Sequence, residues 1–162
     1  MPDLLVNLLK LPGLDSDDES FVIRRAQPFE LSPVREFIQR NFGAPWADEV
    51  SVGFARKPVS VFVATIDRHL VGFSAYECTR RGFFGPTGVL NNARGRGIGK
   101  TLLLACLHAM KDERYAYAVI GWAGPVEFYS RTVGATVIEG SEPGIYRGPL
   151  VGFIDKDGEN KR

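Results

Sequence analysis

Residues 89–104 of the chain read VLNNARGRGIGKTLLL. An apolar strand candidate leads into alternating glycines, and the closing leucines begin a helix. When a strand is followed by a glycine turn and then by the first turn of a helix, free backbone N–H groups and the positive end of the helix dipole point at one place. Such a turn binds phosphate groups, and its basic side chains add positive charge. These side chains are Arg94, Arg96 and Lys100.

The spacing of this loop excludes two common phosphate-binding motifs. A P-loop requires glycine five positions before the Gly-Lys-Thr of residues 99–101, and that position is Arg94. A dinucleotide-binding fingerprint starting at Gly95 requires its third glycine at position 100, which is Lys100. The spacing therefore argues against a nucleotide-binding protein.

The segments around the loop predict one domain over residues 21–154 with a mixed α/β sheet, because strands and helices alternate without a doubly wound order. Gly85 and Pro86 interrupt the strand before the loop and predict a bulge or an edge strand there, because proline cannot donate to a ladder. The helix candidates are a helix ending at Gly43, Trp46–Ala55, Ile98–Met110 and Pro125–Val133. The strand candidates are Phe21–Arg25, Val59–Ile66, Leu70–Cys78, Phe83–Leu90, Tyr117–Gly121, Ala135–Ile138, Ile145–Arg147 and Leu150–Ile154.

Both ends of the chain are predicted to lie outside this domain. Residues 1–20 form an N-terminal arm and an acidic linker, and residues 155–162 form a charged tail. The apolar part of the arm is far shorter than the roughly 18 residues of a membrane span and lacks a basic leader. We expect the arm to pack across a two-fold partner, which makes a homodimer a hypothesis.

The charge and cysteine content limit the classes of partner. Among the 162 residues, 20 are Lys or Arg and 19 are Asp or Glu, which argues against nucleic-acid and membrane binding. Residues 78–111 carry no acidic residue but six basic ones, which favours a small anionic ligand. Cys78 and Cys106 are predicted to be buried thiols of a cytoplasmic protein. They have no metal-ligand spacing with His69 or His108, so no metal site is expected.

The loop resembles the pyrophosphate-binding signature of the GCN5-related N-acetyltransferase (GNAT) superfamily. The matching positions are Arg94, Gly97 and Gly99, and Phe128-Tyr129 follows about thirty residues later on a short helix ahead of Gly134-Ala135. The resemblance extends from about residue 21 to residue 147. It implies a mostly antiparallel sheet of about six to seven strands with helices on both faces and a V-shaped splay between two central strands.

The resemblance also implies a cofactor and its site. Acetyl-CoA would bind with its pyrophosphate on the loop and its pantetheine arm along the preceding strand, and Tyr129 would be the general acid. The implied cofactor-binding residues are Thr87, Val89, Leu90, Arg94, Gly95, Arg96, Gly97, Ile98, Gly99, Lys100 and Thr101.

The expected reaction is direct acetyl transfer to a primary amine of a small molecule or a peptide. Glu77 is the nearest candidate for the general base, since the strand before the loop holds no carboxylate. Trp122 stands where many relatives have asparagine, so the pantetheine arm is held differently or the indole lines the acceptor site. Candidate acceptor contacts are Trp46, Phe54, Trp122 and Tyr146. The alternative is a non-catalytic acetyl-CoA-binding sensor or partner module.

Overall fold

The computed structural model describes residues 1–15 and 17–162, so Ser16, in the predicted acidic linker, lies outside the described residues. The helices are α1 (Leu31–Phe42), α2 (Ala44–Ser51), α3 (Ile98–Asp112) and α4 (Val126–Val133). The strands are β1 (Leu4–Asn7), β2 (Val22–Arg25), β3 (Val61–Ile66), β4 (His69–Tyr76), β5 (Phe83–Val89), β6 (Tyr117–Ile120), β7 (Thr136–Val137), β8 (Phe153–Ile154) and β9 (Asn160–Lys161).

Seven of these strands form one sheet in the order β2-β3-β4-β5-β6-β1-β7. All neighbours pair antiparallel except β5 and β6, which are parallel. The parallel pair is in register only at Phe83 with Val119 and Phe84 with Ile120, whereas β5 continues beside β4 as far as Val89. The two central strands therefore diverge after Phe84, which confirms the mixed sheet and the V-shaped splay.

Helices cover both faces of the sheet. Alternate residues of a strand point to opposite faces. Val61 and Val63 of β3 accordingly pack with α1 and α2, whereas Phe62 and Ala64 pack on the side of α3. The helix α4 shares a core with α3 through Tyr129. The helices on both faces that the resemblance implies are confirmed.

The N-terminal segment is part of the sheet, which the sequence interpretation missed. Leu4 of β1 pairs antiparallel with Ile120 on one side and with Val137 on the other. The side chains of Leu4 and Val6 are fully buried in the core. The segment therefore belongs to the sheet of its own chain, bonded to β6 along its whole length and to β7 at Leu4 and Leu5. The homodimer stays a prediction.

The C-terminal strand candidates also differ from the prediction. Residues 145–147 are not a strand, and β8 pairs with β9 in a separate two-stranded sheet that includes part of the predicted tail. The place between β6 and β7 is taken by β1. No strand from the C-terminal segment therefore enters the main sheet there.

The bulge predicted from Gly85 and Pro86 is present in β5. Ser74 pairs with Thr87 and Tyr76 pairs with Phe84, so β5 advances three residues while β4 advances two. The extra residue lies at Gly85 and Pro86, where Gly85 has a φ of 113° that L side chains rarely adopt. The bulge lies beside the point at which β5 and β6 begin to diverge.

Candidate active site

A cleft of about 730 Å³ occupies the space between the diverging strands. Residues 83–89 of β5 line one wall, and residues 120–125, which end β6 and lead to α4, line the other. The glycine loop, from residue 93 to residue 100 except for Arg96, closes one end. The cleft therefore joins the predicted phosphate-binding loop to the bulge of β5.

The glycine loop forms the start of α3. Gly95 and Gly97 have φ values of 80° and 81°, and a Cβ on either would meet no atom within 4 Å. These glycines are therefore needed for the left-handed backbone rather than for space. Gly97 is the N-cap of α3 and no side chain caps the helix, so the N–H groups of its first turn have no intrahelical acceptor. Their number and open surroundings fit a diphosphate.

The basic side chains of the loop point in different directions. Arg94 and Lys100 line the cleft, and the Arg94 Nε donates to the Val89 carbonyl at 3.3 Å. Arg96 is not a lining residue, and its guanidinium donates instead to the Ser20 Oγ at 2.7 Å. The structure therefore brings two of the three predicted cations to the cleft.

The other predicted cofactor contacts also divide into two groups. Thr87 lines the cleft, although its hydroxyl donates to the Phe73 carbonyl at 3.0 Å. Leu90 donates its N–H to Val71 at 2.8 Å and lies outside the lining, as does Thr101, whose hydroxyl donates to the Gly97 carbonyl at 3.0 Å. The predicted cofactor residues in the lining are Thr87, Val89, Arg94, Gly95, Gly97, Ile98, Gly99 and Lys100.

Tyr129 of α4 lines the cleft and is only 6% exposed. Its ring contacts Phe84 edge-on at 6.3 Å and Phe128 at 5.2 Å between centroids. Burial raises the pKa of Tyr129 to about 12, so the phenol keeps its proton at neutral pH. Its hydroxyl makes no hydrogen bond to any described residue, which leaves the proton available to a molecule in the cleft.

Three of the four residues predicted to contact the acceptor line the cleft. Trp46, Trp122 and Tyr146 are lining residues, and the rings of Trp122 and Tyr146 meet edge-on at 5.9 Å between centroids. Trp122 has a positive φ of 50° and donates its backbone N–H to the Asp3 carboxylate at 2.7 Å. Phe54 is not a lining residue and packs in the core beside α2.

The Glu77 carboxylate is occupied by the turn between β4 and β5. It accepts a hydrogen bond from the backbone N–H of Gly82, and Glu77 is not a lining residue. The structure thus places it at the rim of the sheet rather than in the cleft.

The sequence interpretation missed two polar residues beside Tyr146: Thr79, and Glu49, which is not a cleft-lining residue. Thr79 lines the cleft, and Glu49 of α2 accepts hydrogen bonds from the hydroxyls of Thr79 and Tyr146, the latter at 2.8 Å. Burial is the main cause that raises the pKa of the Tyr146 phenol to about 12; the hydrogen bond to Glu49 acts in the same direction and the one to Thr79 opposes it. No motif links positions 49, 79 and 146, so no signal in the sequence could have joined them.

Neither metal ligation nor membrane insertion is visible in the described part of the chain. Residues 1–15 and 17–162 contain no group of three or more His, Cys, Asp or Glu side chains that could hold a metal ion. Within the same residues, no helix has the length and apolarity to cross a membrane. Cys78 and Cys106 are free and buried, as expected.

Comparison with known proteins identifies the family. Residues 20–134 match the model of the acetyltransferase (GNAT) family. The chain belongs to the GNAT family. The matched segment includes the glycine loop, the bulged strand β5 and the Phe128-Tyr129 pair of α4. None of the curated proteins compared with the chain matches it.

Solved structures share the GNAT fold at low sequence identity. One is a fungal multi-domain β-N-acetylglucosaminidase with a GCN5-related glucosamine N-acetyltransferase region, with 18% identity and a TM-score of 0.68 over 85% of this chain and 19% of that one. Another is a GCN5-related N-acetyltransferase from Sphaerobacter thermophilus, with 19% identity and a TM-score of 0.62. The match covers 85% of this chain and 48% of that one. The chain thus spans less than half the length of both.

A third similar structure contains the cofactor. It is a GNAT acetyltransferase from Brucella melitensis in complex with acetyl-CoA, with 22% identity and a TM-score of 0.56 over 70% of this chain and 82% of that chain. GNAT proteins therefore include members that bind acetyl-CoA, and at these identities the likeness establishes the shared fold.

Proposed function

We propose that the chain is an acetyl-CoA-dependent N-acetyltransferase that transfers an acetyl group directly to a primary amine of a small molecule or peptide. The observation that carries the proposal is that Tyr129 and the glycine loop line one continuous cleft. A protonated phenol and a seat for a diphosphate in the same cleft are the parts that transfer from a CoA thioester requires. Acetyl-CoA supplies the activated acetyl group.

Different residues of the cleft bind different parts of acetyl-CoA. The N–H groups at the start of α3, with Arg94 and Lys100, hold the diphosphate. The wall formed by β5 holds the pantetheine arm. The bulge at Gly85 and the divergence of β5 from β6 support a position for the thioester between these strands. The reacting carbon then lies within the wedge that Tyr129 borders.

Tyr129 serves as the general acid in this proposal. The acceptor nitrogen forms a bond to the acetyl carbon while the carbon–sulfur bond breaks, and Tyr129 gives its hydroxyl proton to the sulfur. Conversion of an ammonium to an amide releases two protons from nitrogen. One restores Tyr129, and the other passes to water in the open cleft.

The reaction also requires a base that removes a proton from the acceptor ammonium. Glu77 stays a prediction, because its carboxylate is bonded to the Gly82 N–H and lies outside the cleft lining. No carboxylate is among the cleft-lining residues in the described part of the chain. This observation favours one alternative, a non-catalytic module that binds acetyl-CoA as a sensor or partner.

The substitution Y129F separates the two functions. With an amine panel and acetyl-CoA, release of the CoA thiol should fall by about 100-fold in kcat, the order expected for loss of a general acid. The calorimetric affinity for CoA should stay within about twofold. The matched control is Y117F, at an exposed tyrosine of β6, which should leave both unchanged.

Two outcomes of this experiment would contradict the proposed enzyme. Binding of CoA without acetylation of any amine would favour the non-catalytic module. Absence of calorimetric heat and saturation with CoA would overturn both functions.

A further inference from the structure

The segment after β7 is fixed at its base to the β6 side of the cleft. We call residues 139–147 the strap. The Ser141 hydroxyl accepts the Asp3 N–H at 2.9 Å, and the Asp3 carboxylate accepts the Ile145 N–H at 3.2 Å. The same carboxylate accepts the N–H of Trp122, which follows β6. The base of the strap therefore belongs to the wall of the cleft that β6 begins.

Tyr146, near the end of the strap, reaches the opposite side of the cleft. Its hydroxyl donates to the Glu49 carboxylate of α2 at 2.8 Å. Glu49 also accepts the hydroxyl of Thr79, in the turn that leads into β5. The helix α2 packs on β4, because Trp46 meets Phe73 edge-on at 6.3 Å between centroids. One carboxylate thus joins the strap to the side of the cleft formed by β4 and β5, and we call Glu49 and Tyr146 the latch.

The latch lies where the cleft meets solvent. Tyr146 lines the cleft and is 44% exposed, and its ring meets that of Trp122, which also lines the cleft and is 45% exposed. Side chains that line a cleft and are nearly half exposed lie at its opening. A hydrogen bond that joins the two sides at this opening fixes the distance between them.

The latch is separated from the seat of the diphosphate. Glu49 is bonded to Thr79, which precedes β5, whereas the glycine loop follows β5. The seven residues of β5, at about 3.3 Å each, give a strand about 20 Å long. The two features therefore lie near opposite ends of this strand, and a change in the latch should leave the diphosphate contacts intact.

The end of the strap has little support from the rest of the chain. The Arg147 guanidinium donates to the carbonyls of Ser141 and Gly144, so it braces the strap internally. Beyond it, Leu150 and Val151 are almost fully exposed. A hydrogen bond near the surface is exchanged for bonds to water at small net cost. The latch can therefore open without disturbing the core of the sheet.

We propose that the latch sets the width of the acceptor entrance and so restricts the acceptor to slender primary amines. This inference rests on the proposed N-acetyltransferase function and names the size class of its substrate. A slender amine passes between the two sides of the closed latch, whereas a broad amine enters only after the hydrogen bond between Tyr146 and Glu49 breaks. Both are positioning residues that hold the strap, and the proton transfers described above do not involve them.

Two amines of different width test the size class. Benzylamine and 1-naphthylmethylamine both carry an aminomethyl group on an aromatic ring system and differ in the width of that system. In the wild type, we expect kcat/KM with acetyl-CoA to be at least tenfold higher for benzylamine. Y146F keeps the ring but cannot donate to Glu49, so it should reduce this ratio at least fivefold, through the KM of the naphthyl amine. The KM for acetyl-CoA should stay within twofold. An equal ratio in the wild type and Y146F would overturn the latch.

Substitutions at Glu49 separate a latch from a general loss of stability. E49A should change the ratio as Y146F does, whereas E49Q should stay near the wild type because its amide oxygen can still accept the phenol proton. The double variant E49A/Y146F should match either single variant, since both break the same bond. The control D48N removes an exposed charge one position away on α2 and should leave the ratio unchanged. Additive effects of E49A and Y146F would overturn the latch.

A binding measurement keeps the inference testable if no amine is acetylated. Calorimetry titrates each amine into the wild type and Y146F in excess CoA. In the wild type, benzylamine should bind at least tenfold more tightly than 1-naphthylmethylamine, and in Y146F this ratio should be at least fivefold smaller. That result supports the latch even if the catalytic proposal fails. Equal ratios in the two proteins, or no saturation with either amine, would overturn the latch.

Discussion

The Asp3 carboxylate accepts a hydrogen bond from the backbone N–H of Trp122, 119 positions away in the sequence, at 2.7 Å. The same oxygen accepts the N–H of Ile145 at 3.2 Å. Asp3 thus joins the start of the chain to the two segments that carry Trp122 and Tyr146. Because Trp122 has a positive φ, this contact stabilises a backbone conformation that non-glycine residues rarely adopt.

Removal of the Asp3 carboxylate should destabilise the protein. D3A leaves two backbone N–H groups without their acceptor, which costs about 1–3 kcal/mol. D3N retains an amide oxygen that can accept both bonds and should lose less. Urea unfolding of the three proteins measures the difference, and equal stability of D3A and wild type would show that the contact contributes nothing.

Arg94 and Arg96 should contribute unequally to cofactor binding. R94A removes a cation from the cleft lining and should weaken CoA binding roughly tenfold, about 1.4 kcal/mol. R96A removes a side chain that donates to Ser20 outside the cleft and should change the affinity by less than about twofold. Calorimetry with CoA makes the comparison. Equal losses would show that the loop acts through its overall charge.

Tyr129 should make the protein less stable in alkali. The pKa of its folded-state phenol is raised to about 12, whereas the unfolded phenol titrates near 10. The stability from the retained proton is fully present below about pH 10 and is lost as the pH rises towards 12. Two pKa units correspond to about 2.7 kcal/mol. The free energy of unfolding of the wild type should therefore fall between pH 9.5 and pH 12, and the fall in Y129F should be smaller by about that amount. Denaturant titrations at the two pH values measure both.

Both cysteines should resist alkylation in the folded protein. Burial raises the pKa of Cys78 to about 11 and also raises the pKa of Cys106, so neither thiol forms an appreciable thiolate at pH 8. Iodoacetamide at pH 8 should label neither within minutes, and both should react in denaturant. Mass spectrometry counts the adducts. Rapid labelling of the native protein would contradict the buried position of these thiols.

Local signals predicted the central part of the fold and of the site. Gly85 and Pro86 predicted the bulge because proline lacks an N–H and glycine accepts positive φ. The glycines near residue 97 predicted the turn for the same conformational reason. These effects act within a few residues, so they can be read from the chain directly.

The N-terminal strand was missed because its signal is short and its partners are distant. Leu4, Val6 and Leu8 alternate with less buried residues, but β1 has only four residues. Its partners are β6 and β7, more than a hundred positions away. The strand exists because burial of these side chains completes the core beneath α3 and α4. With β1 in place, the predicted C-terminal strands found no position in the main sheet.

The amino-acid sequence by itself determined the glycine turn, the bulged strand and the helix that carries Phe128 and Tyr129, since each depends on backbone conformation and periodicity over a few positions. The tertiary structure alone decided which side chains face the cleft. It brought Glu49 to Tyr146 across 97 positions and turned Arg96 away from its neighbours in the loop. The physical reason is that contacts between distant residues follow from the burial of apolar faces across the whole sheet. No short stretch of sequence encodes these contacts.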